Sequence, residues 1–261
     1  MDEIARYNRE RWNSLVQAEA IFTKPYLDLD VEEAKSYLDP KGLLAEIAGK
    51  RVLCLASGGG QQSVAFALLG ADVTVFDLSE GQLQRDKEAA EKYGLTIRIQ
   101  QGDMRDLSCF EANSFDIVYQ PYSINFVPEA RSVFREVARV LCSQGIYHFM
   151  CANPFLLGMN PEDWDGTGYP LRYPYQSGAI VSLADEDWVF GEAPKLDAIP
   201  WRREYRHTLS DLINGLIGEN LEIFHFYEQP SGEADFSQPA GTSEHFTAVA
   251  PLWIIFWSIR K

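Results

Sequence analysis

From Arg51 onward the chain alternates short apolar runs with longer amphipathic stretches: VLCLA, SVAFALLG, VTVFD, EGQLQRDKEAAEKYG, TIRIQ, FDIVYQ, EARSVFREVARVL and GIYHFMC. Most of the short runs show no alternation of apolar and polar positions, the look of strands covered on both faces, while the longer stretches repeat apolar positions at helical spacing. The resulting βαβα order, with right-handed crossovers, predicts a doubly wound α/β sheet. Gly70 and Gly94 stand just before strands, where helix C-caps are expected.

Outside this stretch the pattern changes three times. From Asp2 to about Val16, Ile4, Trp12, Leu15 and Val16 recur at near-helical spacing among charges, and Val31 to Leu38 reads as a second helix stopped before Pro40. Residues 1–50 are therefore expected to form a helical cover over a core of residues 51–152. Residues 153–200 lose the rhythm and carry six of the thirteen prolines together with Trp164, Trp188 and several tyrosines, which reads as an inserted cap. Over 201–261 regularity returns: WRREYRH, a helix in TLSDLINGLIGEN, a strand in LEIFHFYE, a polar loop from Pro230 to Ser243 and a last strand in LWIIFWSI. No internal repeat or low-complexity tract is present.

Charge and cysteine content narrow the function. A formal net charge of −15 repels a polyphosphate surface, so nucleic acid is not an expected partner. The N-terminal stretch mixes charges throughout and lacks the apolar centre of an export signal, and the apolar run Pro251–Ile259 is far shorter than the roughly 20 residues a spanning helix needs. A cytoplasmic chain with no membrane partner is the expectation. The four cysteines, Cys54, Cys109, Cys142 and Cys151, form no CxxC pair and share no metal-ligand spacing with the four histidines, so they read as reduced thiols and no metal is expected.

The most informative segment is VLCLASGGGQQ, Val52 to Gln62. Glycines at a strand-to-helix turn let the backbone approach a ligand, and the following helix N-terminus presents unpaired N–H groups, although a plain tight turn would use the same residues. Asp77 ends the second strand about 20 residues later, placed to accept from ribose hydroxyls; it is equally placed to cap the helix beginning near Ser79. Loop, strand and acid in this order point to a ribose-containing cofactor.

At this level the chain resembles the class I S-adenosylmethionine-dependent methyltransferases, and within them the small-molecule branch with type 11 domains, over about Arg51 to Met150. VLCLASGGG is similar to the glycine-rich first motif, VTVFDLS to the acidic second motif, GDMRDL to the adenine-contacting block, and SFDIVYQPYSINFV to the strand and loop beside the reacting methyl group. The resemblance implies a Rossmann-like sheet completed by a C-terminal antiparallel strand. It also implies S-adenosylmethionine as cofactor, S-adenosylhomocysteine as product, and a small-molecule acceptor. Carried over by position, Ala56, Ser57, Gly58 and Gly60 are expected along the methionine part, Asp77 on the ribose hydroxyls, and Leu78 and Gln82 beside adenine and ribose. Asp103 and the Met104 N–H are expected at the adenine, and Gln120 at the amino-acid end or the transferred methyl. Two positions depart from the pattern: Cys54 stands where an acid is common, and Ala56 where a glycine is. A nicotinamide dinucleotide is the competing cofactor, but SGGGQQS lacks GxGxxG spacing and no YxxxK pair is present.

Methyl transfer from a sulfonium is an in-line displacement in which positioning supplies much of the acceleration, so a strong base is optional. QPY at Gln120–Tyr122 partly resembles the proline-aromatic motif of enzymes that methylate planar nitrogens, making Tyr122 a candidate; it serves equally as a core aromatic. His148 and His225 lie in apolar strands and read as core residues. His207, after WRREYR and before a helix, is with Tyr205 the candidate to orient or deprotonate a nucleophile, or else forms a hydrogen bond at the helix start. Trp12 and Tyr26 are candidates to cover the cofactor. The acceptor is expected under the insertion, between walls from Phe155, Trp164, Tyr169, Tyr173 and Trp188, which suits a small, partly apolar metabolite. A cofactor-binding module that performs no transfer is the alternative from another class.

Overall fold

The computed structural model describes residues 1–185, 187–190 and 199–261. Strands β1 (Arg51–Leu55), β2 (Asp72–Asp77), β3 (Arg98–Gln101), β4 (Phe115–Gln120), β5 (Leu141–Ala152), β8 (Leu221–Gln229) and β9 (Trp253–Arg260) form a seven-stranded sheet in the order β3-β2-β1-β4-β5-β9-β8. β1 pairs in parallel with both β2 and β4, and β4 with β5, whereas β9 runs antiparallel to β5 and β8. The chain thus runs outward from β1 to β3 and crosses back to β4. The crevice at the carboxyl ends of β1 and β4 is the switch point where open α/β sheets bind ligands.

Both faces of β1 are buried, which is why it reads as an unbroken apolar run. Leu53 and Leu55 join one core with Phe134 and Val137 of α5 (Ala130–Val140) and Leu212 and Leu216 of α6 (Leu209–Gly218). Val52 and Cys54 join the opposite core with Ala65 and Phe66 of α3 (Gln62–Leu68) and Ala34 and Leu38 of α2 (Val31–Leu38). Helix boundaries follow local chemistry. Asp2 Oδ1 accepts the Ala5 N–H at the start of α1 (Glu3–Gln17), Asp30 and Glu33 form a capping box on α2, and α4 (Glu80–Tyr93) runs from the Ser79 cap to left-handed Gly94.

Three segments differ from expectation. β5 spans twelve residues, beginning before GIYHFMC, because Leu141 already pairs with Phe115 of β4. After the polar loop beginning at Pro230, a short helix α7 (Ser243–Val249) precedes β9, held by the Thr242 cap and burying Phe246. Finally, WRREYRH does not join the large sheet. Its strand β7 (Arg202–Tyr205) pairs antiparallel with β6 (Ile180–Leu183) from within the insertion, Ile180 opposite Tyr205 and Leu183 opposite Arg202. No helix among the described residues is long and apolar enough to cross a membrane.

Candidate functional site

The turn after β1 is fixed by two carboxylates, the half-buried Asp77 and the buried Asp86. Ala56 adopts φ +46°, a left-handed conformation that costs a residue with a side chain roughly 1–3 kcal/mol, and Gly59 and Gly60 follow at +124° and +75°. The Gly58 N–H donates to Asp77 Oδ2 at 2.9 Å, and Asp77 Oδ1 accepts the Ser79 N–H at 2.9 Å. The Gly59 N–H donates to Asp86 Oδ2 at 2.8 Å and the Ser63 hydroxyl to Asp86 Oδ1 at 2.5 Å. Asp77 therefore ties β1 to β2 and also braces the start of α4. A Cβ on Gly58 would come within 2.5 Å of Gln82 Cβ, so only glycine permits this approach.

Asp86 orders the loop from α4, while position 54, where the resemblance implies an acid, holds a cysteine. Cys54 is itself wholly buried, and burial pushes its thiol well up. Burial also raises Asp86, to about 7, opposed by the bonds from Ser63 and Gly59 and reinforced by the charge of Asp77. Asp77 is raised as well, by burial, against donation from the Ser79, Gly58 and Leu78 N–H groups. Nothing in the sequence analysis singled out Asp86. The available signal was an acid on the buried stripe of a surface helix, in line with Gln82, Leu83, Ala89 and Ala90.

Beyond the loop lies a cavity of about 500 Å³, within the roughly 300–1,000 Å³ usual for small-ligand sites. Of the residues expected at a cofactor, Ala56, Ser57, Gly58, Asp77, Leu78, Gln82, Asp103 and Met104 line it. Gly60 and Gln120 do not. Gly60 packs against α4, where a Cβ would meet Ala89 Cβ at 2.8 Å. Gln120 is wholly buried, donating to Ser123 Oγ at 2.9 Å and accepting from the Tyr147 hydroxyl at 2.5 Å. Ser57 Oγ and Gln82 Oε1 are buried without a hydrogen-bond partner among the described residues. Unpaired polar atoms beside a buried acid and a glycine cradle are what a nucleoside-bearing ligand would complete.

Helix α1 covers this end. Arg105 holds Asp103 through its Nε at 3.0 Å and reaches Asp2 at 2.8 and 2.9 Å, while Asn13 accepts from Ser79 and Gly81 and donates to Glu80 at the start of α4. Trp12 lines the cavity, edge-on to Phe22 and Phe126; Tyr26 lies outside, against Tyr37.

The far end is apolar and aromatic, with one buried polar cluster. Tyr122, Phe126 and Trp253 meet edge to face at ring separations of 6.0 and 4.7 Å, beside Met150, Leu156, Leu157 and Met159. Against them stand Glu204, Arg202 and the ion pair of Arg11 with Asp185, 2.6 Å apart. Burial raises the Glu204 carboxyl, and burial together with the facing Glu204 charge raises Tyr122 well above its ordinary value.

Of the other candidates, Tyr205 and His207 are not brought to the cavity. The Tyr205 carbonyl accepts from Asn125, and His207 Nε2 lies 3.0 Å from the Ile124 carbonyl, its ring kept neutral-leaning by burial. His148 is a core residue stacked on Tyr119, its pKa lowered to about 3 by burial. The expected aromatic walls are also elsewhere: Phe155 stacks on Tyr175, Trp164 and Tyr169 surround His245, and Tyr173 packs under Gly158. The Trp188 side chain lies outside the described residues. The insertion reaches the cavity instead through Leu156–Asn160, Asp185 and Val189.

Comparison with known proteins finds methyltransferases. Residues 53–149 match the family described as "Methyltransferase domain". The chain is 34% identical over 244 residues to the uncharacterized methyltransferase YbaJ of Bacillus subtilis, covering 89% of this chain and 93% of that one. It is 32% identical over 134 residues to a ubiquinone biosynthesis O-methyltransferase of Bordetella avium, 50% of this chain and 54% of that enzyme. Its fold superposes on a solved S-adenosylmethionine dependent methyltransferase from Mesorhizobium loti with a TM-score of 0.64 at 21% identity, over 88% of this chain and all of that one (100%).

Proposed function

The chain belongs to the class I S-adenosylmethionine-dependent methyltransferases, and on that premise we propose that it methylates a small, partly apolar metabolite held at the aromatic end of the cavity. One observation carries the proposal: a single cavity of about 500 Å³ runs from the glycine loop and Asp77 to Tyr122, Phe126 and Trp253. Such a space suits a cofactor and a small acceptor side by side. Helix α1 over one end and Leu156–Asn160 at the other favour a small acceptor over a macromolecular surface.

In this reading Asp77 accepts from the ribose hydroxyls with the lone pairs its backbone bonds leave free. Ser57 and Gln82 supply their unpaired oxygens, and Asp103, held in place by Arg105, meets the adenine beside Met104. The cofactor supplies a sulfonium methyl group that is already activated. What the protein contributes is orientation and exclusion of water, through α1 on one side and the apolar walls on the other. Tyr122 is the one candidate from QPY that reaches this space. Its raised pKa makes it a neutral hydrogen-bond donor at ordinary pH rather than a base.

Calorimetric titration with S-adenosylhomocysteine tests the cofactor end. Transfer of labelled methyl from S-adenosylmethionine to a panel of small aromatic and aliphatic metabolites, against protein and nucleic-acid controls, tests the acceptor class. Absence of detectable S-adenosylhomocysteine binding would sink the proposal, and labelling of the macromolecules alone would overturn its acceptor.

A further inference from the structure

Glu204 is the feature of the cavity that its apolar walls leave unexplained. The residue is 3% exposed and lines the aromatic end, yet its Oε1 has no hydrogen-bond partner among the described residues. Arg202 Nε lies 3.7 Å from it, too far for a hydrogen bond. Among the described residues, the other charged or titratable groups facing it are the Tyr122 hydroxyl and the pair of Arg11 with Asp185, which largely neutralise one another at 2.8 and 2.6 Å. A buried carboxylate oxygen left unpaired costs roughly 1–3 kcal/mol or more, so a ligand that donates to it is favoured over one that does not.

Resting on the methyltransferase reading, we propose that Glu204 receives the proton of the acceptor, which is a hydroxyl or N–H nucleophile carried on an aromatic body. The body sits between Tyr122, Phe126 and Trp253, and its X–H group donates to Glu204 Oε1. As transfer proceeds the X–H bond breaks and its proton passes to Glu204. The electron pair left on X forms the bond to the methyl carbon, and the sulfur of the cofactor keeps the pair of the broken C–S bond. Burial holds the Glu204 carboxyl above the usual carboxylate range, which makes it a better proton acceptor than an exposed glutamate. Arg202, Tyr122 and Arg11 oppose that rise. Neither His207 nor Tyr205 shares this position.

The test uses the full chain saturated with S-adenosylhomocysteine and four probes, phenol and aniline against anisole and N,N-dimethylaniline, each titrated calorimetrically. Phenol or aniline is expected to bind at least about tenfold more tightly than its methylated counterpart, as for a buried hydrogen bond to a charged group. Which of the two does so separates a hydroxyl from an N–H acceptor. Glu204→Leu should abolish the preference in protein that still binds S-adenosylhomocysteine. Glu204→Gln, which keeps an acceptor oxygen, should retain a reduced preference. Its affinity for the preferred probe should no longer rise with pH across the range in which Glu204 ionises in the wild type. Equal affinity of the wild type for protic and methylated probes, or no binding of any probe while S-adenosylhomocysteine binds, overturns the proposal. So does a Glu204→Gln protein with the wild-type pH dependence. Failure of the wild type to bind S-adenosylhomocysteine would instead strike the methyltransferase reading itself.

Discussion

Replacing Asp86 with asparagine is expected to stabilise the protein at alkaline pH while loosening its hold on the cofactor. Asp86 is wholly buried, and its pKa rises from 3.8 to about 7 because desolvation outweighs the bonds from Ser63 and Gly59. A carboxyl whose folded pKa is raised binds its proton more tightly in the native state. Its contribution to stability is therefore fully present below pH 3.8, falls as pH rises, and levels off above about 7. At about 1.4 kcal/mol per pH unit, the ionised side chain costs about 4 kcal/mol relative to the protonated one. Asparagine does not titrate. Its oxygen still accepts from Gly59, and its amide donates to Ser63 in place of accepting from it. The stability difference between Asp86→Asn and wild type should therefore grow in favour of the variant by roughly 2–4 kcal/mol between pH 4 and pH 8. Urea unfolding followed by tryptophan fluorescence, without ligand, measures both curves. S-adenosylhomocysteine affinity at pH 8 is expected to fall roughly threefold to tenfold, as a neutral amide replaces a charge-assisted acceptor. Parallel pH profiles of the two proteins would refute the reasoning, because the buried carboxyl would then not be titrating between the two states.

Three further substitutions probe other parts of the site. Asp77→Asn should weaken S-adenosylhomocysteine binding at least about tenfold by calorimetry, since a bond from each ribose hydroxyl to a charged acceptor is lost; unchanged affinity would remove Asp77 from the site. Gly60→Ala should lower stability by about 1–3 kcal/mol in urea, because its φ is +75° and the new Cβ would lie 2.9 Å from the Arg85 carbonyl oxygen; an unaltered unfolding midpoint would contradict the packing described for this turn. Arg105→Ala should speed amide exchange in the first turn of α1 and leave β1 and β4 protected. Arg105 holds the Asp2 carboxyl well below the usual range, so in the wild type the stability from this tie is fully present above the ordinary carboxylate pKa and is lost as pH falls through the lowered one. Equal exchange in variant and wild type would show that α1 is held elsewhere.

The doubly wound core was legible in the sequence because β1, β2 and β4 are covered on both faces and so read as continuous apolar runs. The loop and Asp77 were legible because glycines and an acid at fixed spacing leave few geometries open. The acceptor end was not. Glu204 stands in WRREYRH, where Tyr205 and His207 drew attention. Which residues of that strand face the cavity depends on its pairing with Ile180–Leu183, inside an insertion without periodicity. Alternation along β7 brings Arg202 and Glu204 to the cavity and carries Arg203 away, over the ring of Tyr7 at 3.8 Å. The aromatic walls were misplaced for a related reason. Composition marked the insertion as aromatic, but its rings pack on one another and on α7, while the walls come from β4's end, β9 and α1.

The relocated acid has a consequence for how the two ends of the site communicate. At position 54 a carboxylate would sit in the same cluster as Ala65, Phe66 and Tyr119, and from β1 it would tie the loop only to its own strand. From α4, Asp86 holds Gly59 and Ser63 together, so the glycine loop and the N-terminus of α3 move with α4. The same helix meets α1 through Asn13 at Ser79 and Gly81, and Arg85, the residue before Asp86, pairs with Glu19 just beyond the end of α1. Helix α1 in turn places Trp12 and Arg11 in the cavity, and Arg11 fixes Asp185 beside Glu204. Loop, α4 and α1 are thus joined by a chain of contacts that reaches the aromatic end of the cavity. A ligand that tightens the glycine loop should therefore slow amide exchange in α1 as well as in the loop. If the loop alone gained protection, Asp86 would be a local brace and the chain of contacts through α4 would carry nothing to the acceptor end.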